Sequence, residues 1–403
     1  MSKIAIMSTY YLGAATANGI CAQNIVNELH NMGHSIEVIC YKDIGSSDVP
    51  CNIHTMDTSK SDGESGIYRI ARKVRKGTQL VVGNIGAALD KGLVKRYYCQ
   101  LEKIYSTENI DAVIAMFFPL EAAEALYLFK KAHPDIKAII YEVDSIGDGI
   151  GQRGVKSLYT RMYEKWLNRV YRLIDAVFVM QSHDAYWKAT FGQQNRSKLK
   201  LVDLPMLQER KCTLEKHENT DAETSLIYAG LIEKKYRSPS YLLSVLRELD
   251  KKMAFRFAFY SKGDCENEIS QIAGEVRGIC QKGYVPAEEL DKAMDNADFL
   301  VSIGNSVSRS VPSKVVNYIS YGKPIIHFSS QKEDVCKEYF EKYPLALVVD
   351  QSLPIEQSSK LVYEFIQRTK GKTLEFERIE KVFPLNSPRY SAELISKAVE
   401  KDR

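Results

Sequence analysis

The apolar positions of this chain fall into short runs of strand length, with stretches of helical spacing between them. Lys3–Met7 and Ser35–Cys40 read as strands. A small-residue loop from Ser8 to Gly19 and a helix over Ile20–Met32, stopped by Gly33, lie between them. Asp111–Met116, Lys137–Val143 and Asp175–Met180 continue the strands, separated by helical patterns that include Glu121–His133 and Ser157–Leu173. A second series comprises Leu226–Gly230, Phe255–Tyr260, a short piece at Gly283–Val285, Phe299–Ile303 and Ile325–Phe328. Strands alternating with helices predict parallel sheets and an α/β, doubly wound architecture. Apolar periodicity lapses and charge rises between Pro205 and Thr224, which marks a linker. The expected organisation is one domain over 1–205, a linker over 206–224, a second domain over 225–385, and a closing segment over 386–403. That segment carries an amphipathic helix from Tyr390 to Lys401.

Length supports two domains, since 403 residues exceed one typical core and divide into two of about 200. The 45% hydrophobic and 26% charged fractions are those of an ordinary globular protein. No run approaches the roughly 18 to 20 apolar residues of a membrane span, and the chain enters a strand at once without a signal-peptide pattern. The expected location is the cytoplasm. The eight cysteines form no CxxC pair and have no histidine at metal spacing, so reduced thiols are expected and no metal site. A net charge of +4 is too small to imply nucleic-acid binding. Its distribution is uneven: from Gly66 to Tyr105 nine basic residues face two acidic ones, with Tyr68, Tyr97, Tyr98 and Tyr105 among them. Such a stretch fits either a solvated face or peripheral attachment to an anionic membrane surface at the inner face of the cell membrane. On the membrane reading, Arg153–Arg172, with Arg161, Lys165, Trp166 and Arg169, would be a second contact of the same kind.

The most informative stretch is Ser302–Ser329, which reads as strand end, loop, helix, turn and strand. Ser310 can cap the helix and Pro312 suits its first position. Gly322 ends the helix, Pro324 blocks its continuation, and Ile325–Phe328 forms the next buried strand. A helix that follows a parallel strand aims its free N–H groups at the crevice where anions bind, and Arg309 and Lys314 sit beside that end. The GxGxxG of a dinucleotide fold is absent around Gly13 and Gly19, which disfavours a dehydrogenase.

The segment PSKVVNYISYGKPII resembles the donor-site segment of family 4 and related glycosyltransferases of the GT-B fold. ANGICAQNIVNELHNMGHSIEVIC resembles their first βαβ unit, and YAGLIEKKYRSPSYLL the opening of their donor domain. The resemblance implies two Rossmann-like domains facing across a cleft, with the chain's end crossing back to the first. It implies Gly19 where the backbone approaches the donor diphosphate and Asn317 where the family places a ribose-binding Glu. Arg309 stands at the position of the paired Glu, and Leu231 at that of a diphosphate-binding Arg. Arg237 is the substitute for that arginine, with Lys235 second and Lys314, beside Ser313, approaching from the other side. Tyr284 and Val285 would contact the base, and Gly304 and Asn305 the diphosphate or sugar. Asp144 and Glu142 are the candidate acceptor-side catalytic carboxylates, with Asp148 a third.

The implied function is transfer of a sugar from a nucleotide sugar to a glycan or lipid-linked acceptor, with retention, in surface or capsular polysaccharide synthesis. No cofactor and no metal are expected. The alternatives are a catalytically silent GT-B homologue that binds a nucleotide or partner, and a nucleotide-sugar epimerase.

Overall fold

The computed structural model describes residues 1–9, 11, 16–41, 49–56, 89–116, 119–143, 155–184, 187–188, 193–210, 223–305, 311–330 and 334–400. The chain divides into two compact units, one of Met1–Met206 with Leu385–Arg403, the other of Leu207–Pro384. Each is a Rossmann-like α/β layer built on a parallel sheet.

In the first unit the described elements run β1 (Lys3–Met7), α1 (Ala17–Asn31), β2 (Ser35–Tyr41), β3 (Asn52–Met56), α2 (Lys91–Thr107), β4 (Ala112–Met116), α3 (Leu120–Ala132), β5 (Lys137–Tyr141), α4 (Val155–Leu173), β6 (Ala176–Met180) and β7 (Leu199–Val202). The sheet order is β3-β2-β1-β4-β5-β6-β7. Every residue of β4 and β6 is buried, as expected of strands covered on both faces. The short strands β3 and β7 are additions to the sequence-based assignment. They carry mixed polar residues at the sheet edges and lack the apolar run that marks a central strand.

The second unit contains β8 (Thr224–Ile232), α5 (Ser240–Asp250), β9 (Phe255–Gly263), α6 (Glu266–Glu275), β10 (Ile279–Gln281), α7 (Ala287–Asn296), β11 (Phe299–Ile303), α8 (Ser313–Ser320), β12 (Ile325–Ser329), α9 (Val335–Lys342), β13 (Ala346–Asp350), α10 (Ile355–Thr369) and α11 (Phe376–Val382), in the sheet order β10-β9-β8-β11-β12-β13. The short strand lies at Ile279–Gln281 rather than at Gly283–Val285, where Gly283 at φ +69° turns the chain out of the sheet. Pro312 sits one residue before the first helical position of α8, and Ser310 lies outside the described residues.

The last helix, α12 (Pro388–Val399), belongs to the first unit and packs on α1. The Ser391 hydroxyl lies 2.9 Å from that of Tyr141, and the Ser396 hydroxyl 2.9 Å from His34 Nε2.

The basic and aromatic stretch separates into two parts. Tyr68, Arg69, Arg72, Lys73, Arg75 and Lys76 fall outside the described residues. The rest forms α2, whose aromatics face inward. Tyr97 is fully buried and donates to the Ser8 carbonyl, and Tyr98 and Tyr105 pack edge-on against Phe129. Lys91, Lys95 and Lys103 remain on the exposed face. In the second stretch Trp166 is buried and donates to Glu124, which also pairs with Arg169. Tyr97 and Trp166 are thus core residues of the unit, and Tyr98 and Tyr105 are partly buried against that core. Among the described residues no helix is long and apolar enough to cross a membrane.

In both sheets the strand order reverses beside the first strand, between β1 and β4 and between β8 and β11. At the second of these points the β8–β11 ladder ends with Tyr228 opposite Val301. The next residue, Ala229, has no strand partner on that side. Tyr318 of α8 takes its place: its hydroxyl accepts from the Ala229 N–H at 2.9 Å and donates to the Ala229 carbonyl at 3.2 Å. The ring is buried, and burial pushes its ionisation well above the usual phenol range. Replacing Tyr318 by Phe removes both partners of a buried peptide group, a loss of about 1–3 kcal/mol. The Ala229 amide should then exchange its hydrogen about tenfold faster or more; exchange at the wild-type rate would mean that the hydroxyl does not carry this junction.

Candidate anion-binding site

The site begins with a backbone requirement. At the end of β8, Gly230 adopts φ +135°, and a Cβ built there would lie 1.3 Å from the Lys314 amino nitrogen. Only glycine leaves that space, and Lys314, in the first turn of α8, fills it. After β8 the chain turns back on itself, with the N–H groups of Tyr236 and Arg237 both donating to the Glu233 carbonyl. The turn returns Arg237 to the strand end, where its Nη1 donates to the Leu231 carbonyl at 3.1 Å. Tyr228, Arg237, Ser302, Ile303, Pro312, Lys314, Val315, Tyr318 and Cys336 then line a cavity of about 10 Å³, enough for one oxygen-sized atom. It lies at the carboxyl ends of β8 and β11, beside the reversal of strand order where open α/β sheets bind ligands.

Two cationic side chains meet here, and none of the residues that line the cavity is a carboxylate. The Lys314 amino nitrogen and the Arg237 Nε are both out of solvent contact, and neither has a hydrogen-bond partner among the described residues. The Lys314 ammonium lies 5.3 Å from the centre of the Tyr228 ring, a weak substitute for a counter-charge. Burial first, and the charge of Arg237 second, lower the Lys314 ammonium to about 7. Pro312, at the N-cap position, has no side chain able to cap α8.

A second polar group stands behind the same wall. Ser302 and His327 are register partners on β11 and β12, so their side chains share a face. The Ser302 hydroxyl is 3.1 Å from His327 Nδ1, and His327 Nε2 is 2.9 Å from Asp334 Oδ2. His327 is fully buried and Asp334 nearly so. Burial opposes the charge of Asp334, but hydrogen bonds from His327, Ser329 and the Cys336 N–H outweigh it and hold the carboxyl below its usual range. The approach of Asp334 depends on Gly304, where a Cβ would come within 2.3 Å of Oδ2.

Of the residues singled out in the sequence, Arg237, Lys314, Gly304 and Asn305 lie at or next to this pocket, and Ser313 opens α8. Lys235 is exposed, its ammonium 5.0 Å from the centre of the Tyr236 ring. Asn317 is already engaged: its Oδ1 accepts from Arg210 Nη2 at 2.6 Å. The same guanidinium lies 3.6 Å from the centre of the Tyr321 ring and 3.2 Å from Asp291. Tyr284 is three-quarters exposed, with the Lys262 ammonium 3.9 Å from its ring centre, and Val285 beside it is half-buried.

Gly19 lies in the first unit, in the opening turn of α1, where its N–H donates to the capping Thr16 hydroxyl. Glu142 is buried at the end of β5 and accepts from the Tyr171 hydroxyl. Burial raises its carboxyl well above the usual range. Asp144, Asp148 and Arg309 lie outside the described residues. Arg210, Tyr318 and the Ser302–His327–Asp334 chain are additions. One signal for the last was available, a histidine inside the otherwise apolar strand IIHFS.

No protein-family model matches this sequence, and no curated protein does. Solved structures do match along the whole chain. The glycotransferase of kitacinnamycin aligns over 99% of both chains at 12% identity and a TM-score of 0.58. A trehalose-6-phosphate protein from E. coli, bound with UDP-2-fluoro glucose, aligns over 99% of both at 8% identity and a TM-score of 0.60. A putative UDP-N-acetylglucosamine 2-epimerase from Listeria monocytogenes aligns over 98% of this chain and 95% of its own, at 10% identity and a TM-score of 0.58. The chain thus has two Rossmann-like α/β domains with parallel sheets, in keeping with the GT-B fold.

Proposed function

We propose that this protein is a glycosyltransferase that takes its sugar from a nucleotide sugar and holds the donor diphosphate at the switch point of the second unit. The observation that carries this reading is the convergence of the Lys314 amino nitrogen and the Arg237 Nε, both buried and without a partner, on a space for one oxygen atom. A phosphate oxygen supplies the missing acceptor and the missing charge together, and charge-assisted hydrogen bonds of this kind are the strong ones. The backbone N–H groups at the start of α8 add to the same field. With Asn317 Oδ1 committed to Arg210, its amide NH₂ is left to donate to a ribose oxygen. Charge that develops on the leaving diphosphate during sugar transfer is met by donors already in place, the main means by which such sites lower a barrier. The acceptor is a glycan or a lipid-linked saccharide. A nucleotide sugar is also the ligand captured in the E. coli structure of the same fold.

Thermal-shift measurements against UDP-, GDP- and dTDP-sugars test the reading, because a ligand at one hundred times its Kd stabilises the folded state by about 2.7 kcal/mol. Arg237→Ala and Lys314→Ala should each weaken binding of the best ligand by about 1.5–3 kcal/mol, with melting of the unliganded protein retained. Equal affinity in both variants would remove the diphosphate from this site.

Lys314 gives the site a pH signature. The unfolded chain keeps this proton to about pH 10.4, whereas in the folded protein it leaves at about 7. Between these values the unfolded state binds more protons, so stability of the unliganded protein rises with pH across that window. A bound diphosphate favours the ammonium instead. Affinity for the nucleotide sugar should therefore fall several-fold between pH 6.5 and 8.5; Lys314→Met should abolish the stability slope and flatten the affinity slope. Binding that is flat with pH in the wild-type protein would contradict the placement.

A further inference from the structure

The buried chain Ser302–His327–Asp334 has no part in the reading above, although its one half-exposed member lines the same cavity. A polar chain inside a sheet is costly unless each member is satisfied. Here the two inner members are. Asp334 receives His327 Nε2, the Cys336 N–H at 3.0 Å and Ser329. The His327 ring packs against Phe340 with centroids 4.8 Å apart, so its exchangeable contacts are confined to Asp334 at one nitrogen and Ser302 at the other.

We propose that Ser302 is the third polar arm of the anion pocket, and that His327 and Asp334 set the direction in which its hydroxyl hydrogen points. This rests on the reading of the pocket as a diphosphate site. With Asp334 ionised, the single ring proton of a neutral His327 lies on Nε2, so Nδ1 accepts and the Ser302 hydroxyl donates inward. In that state Ser302 offers the cavity only lone pairs, which a phosphate oxygen repels. When the anion enters, one proton from solvent adds to Nδ1. The Nδ1–H then donates to Ser302 Oγ, and the Ser302 hydrogen turns to the phosphate oxygen. No bond to carbon or phosphorus changes in this step, and the pocket gains one positive charge as it takes up the anion.

The groups that bear on the ring are Asp334 at the start of α9, which favours the second proton, and Lys314 of α8 and Arg237 beyond Ser302, which oppose it until an anion offsets them. Cys336, also at the cavity, is neutral because burial and Asp334 push its thiol up. Ser302 is thus a positioning and specificity residue: it makes the cavity accept an anionic oxygen rather than a neutral ligand.

The test uses the full chain, inorganic pyrophosphate as the probe, and nitrogen-15 NMR of histidine side chains at pH 7.5. The His327 resonances are those missing from His327→Gln. Addition of pyrophosphate should convert them from the pattern of a ring with one proton to that of a ring with two. Ser302→Ala should lower pyrophosphate affinity about tenfold, the effect of removing one hydrogen bond to a charged partner, with the melting temperature held. Ser302→Thr should restore it. The affinity arm stands even where His327→Gln fails to fold. If Lys314→Ala weakens pyrophosphate binding while Ser302→Ala does not and the His327 pattern stays fixed, the chain merely braces the β12–α9 corner and the proposal is overturned, with the diphosphate reading intact. If the wild-type protein binds no pyrophosphate and no nucleotide sugar, both are overturned.

Discussion

The second unit depends on one unmet backbone requirement. Where β8 and β11 part, the peptide groups of Ala229 lose their strand partner, and a buried unpaired N–H and C=O would cost more than most side-chain contacts return. Tyr318 meets the requirement and so fixes where α8 lies over the strand end. With α8 held there, Lys314, one turn earlier, enters the space that Gly230 leaves open. The position of the ammonium is therefore a consequence of a strand junction. It owes nothing to a local ion pair.

That placement has an electrostatic cost, visible as a lysine brought down to about 7 beside an arginine. A fold arranged only for stability would put an apolar side chain at position 314 or a carboxylate next to it. Like charges held together, with Lys314 Nζ and Arg237 Nε out of solvent contact and no carboxylate among the residues that line the cavity, are the pattern expected where a ligand supplies the opposite charge. The turn that brings Arg237 back lets its Nη1 bond the Leu231 carbonyl, which holds the guanidinium beside Lys314.

Much of the architecture was legible in the sequence because central parallel strands read as largely apolar runs: β1, β2, β4, β6, β11 and β12 all lie where such runs predict them, despite Glu37 in β2 and His327 in β12. The edge strands β3, β7 and β10 carry mixed polarity and were not legible, and the edge strand β13, ALVVD, is an apolar run that the sequence-based assignment left out. In the site, Lys314 and Arg237 could be found from their places at the start of one helix and before another. The role of Asn317 could not be read, because its partner Arg210 is 107 residues away in sequence and only the fold joins them. The burial of Glu142 could not be read for a related reason: Tyr171 of α4, 29 residues away in sequence, donates to it.

The central claim is that the space between Lys314 and Arg237 takes an oxygen of a nucleotide diphosphate. A crystal structure of the protein soaked with the nucleotide sugar that stabilises it most tests this directly. The account predicts a phosphate oxygen within hydrogen-bond distance, about 2.7–3.2 Å, of the Lys314 amino nitrogen and of the Arg237 guanidinium. A bound diphosphate that touches neither side chain would contradict it.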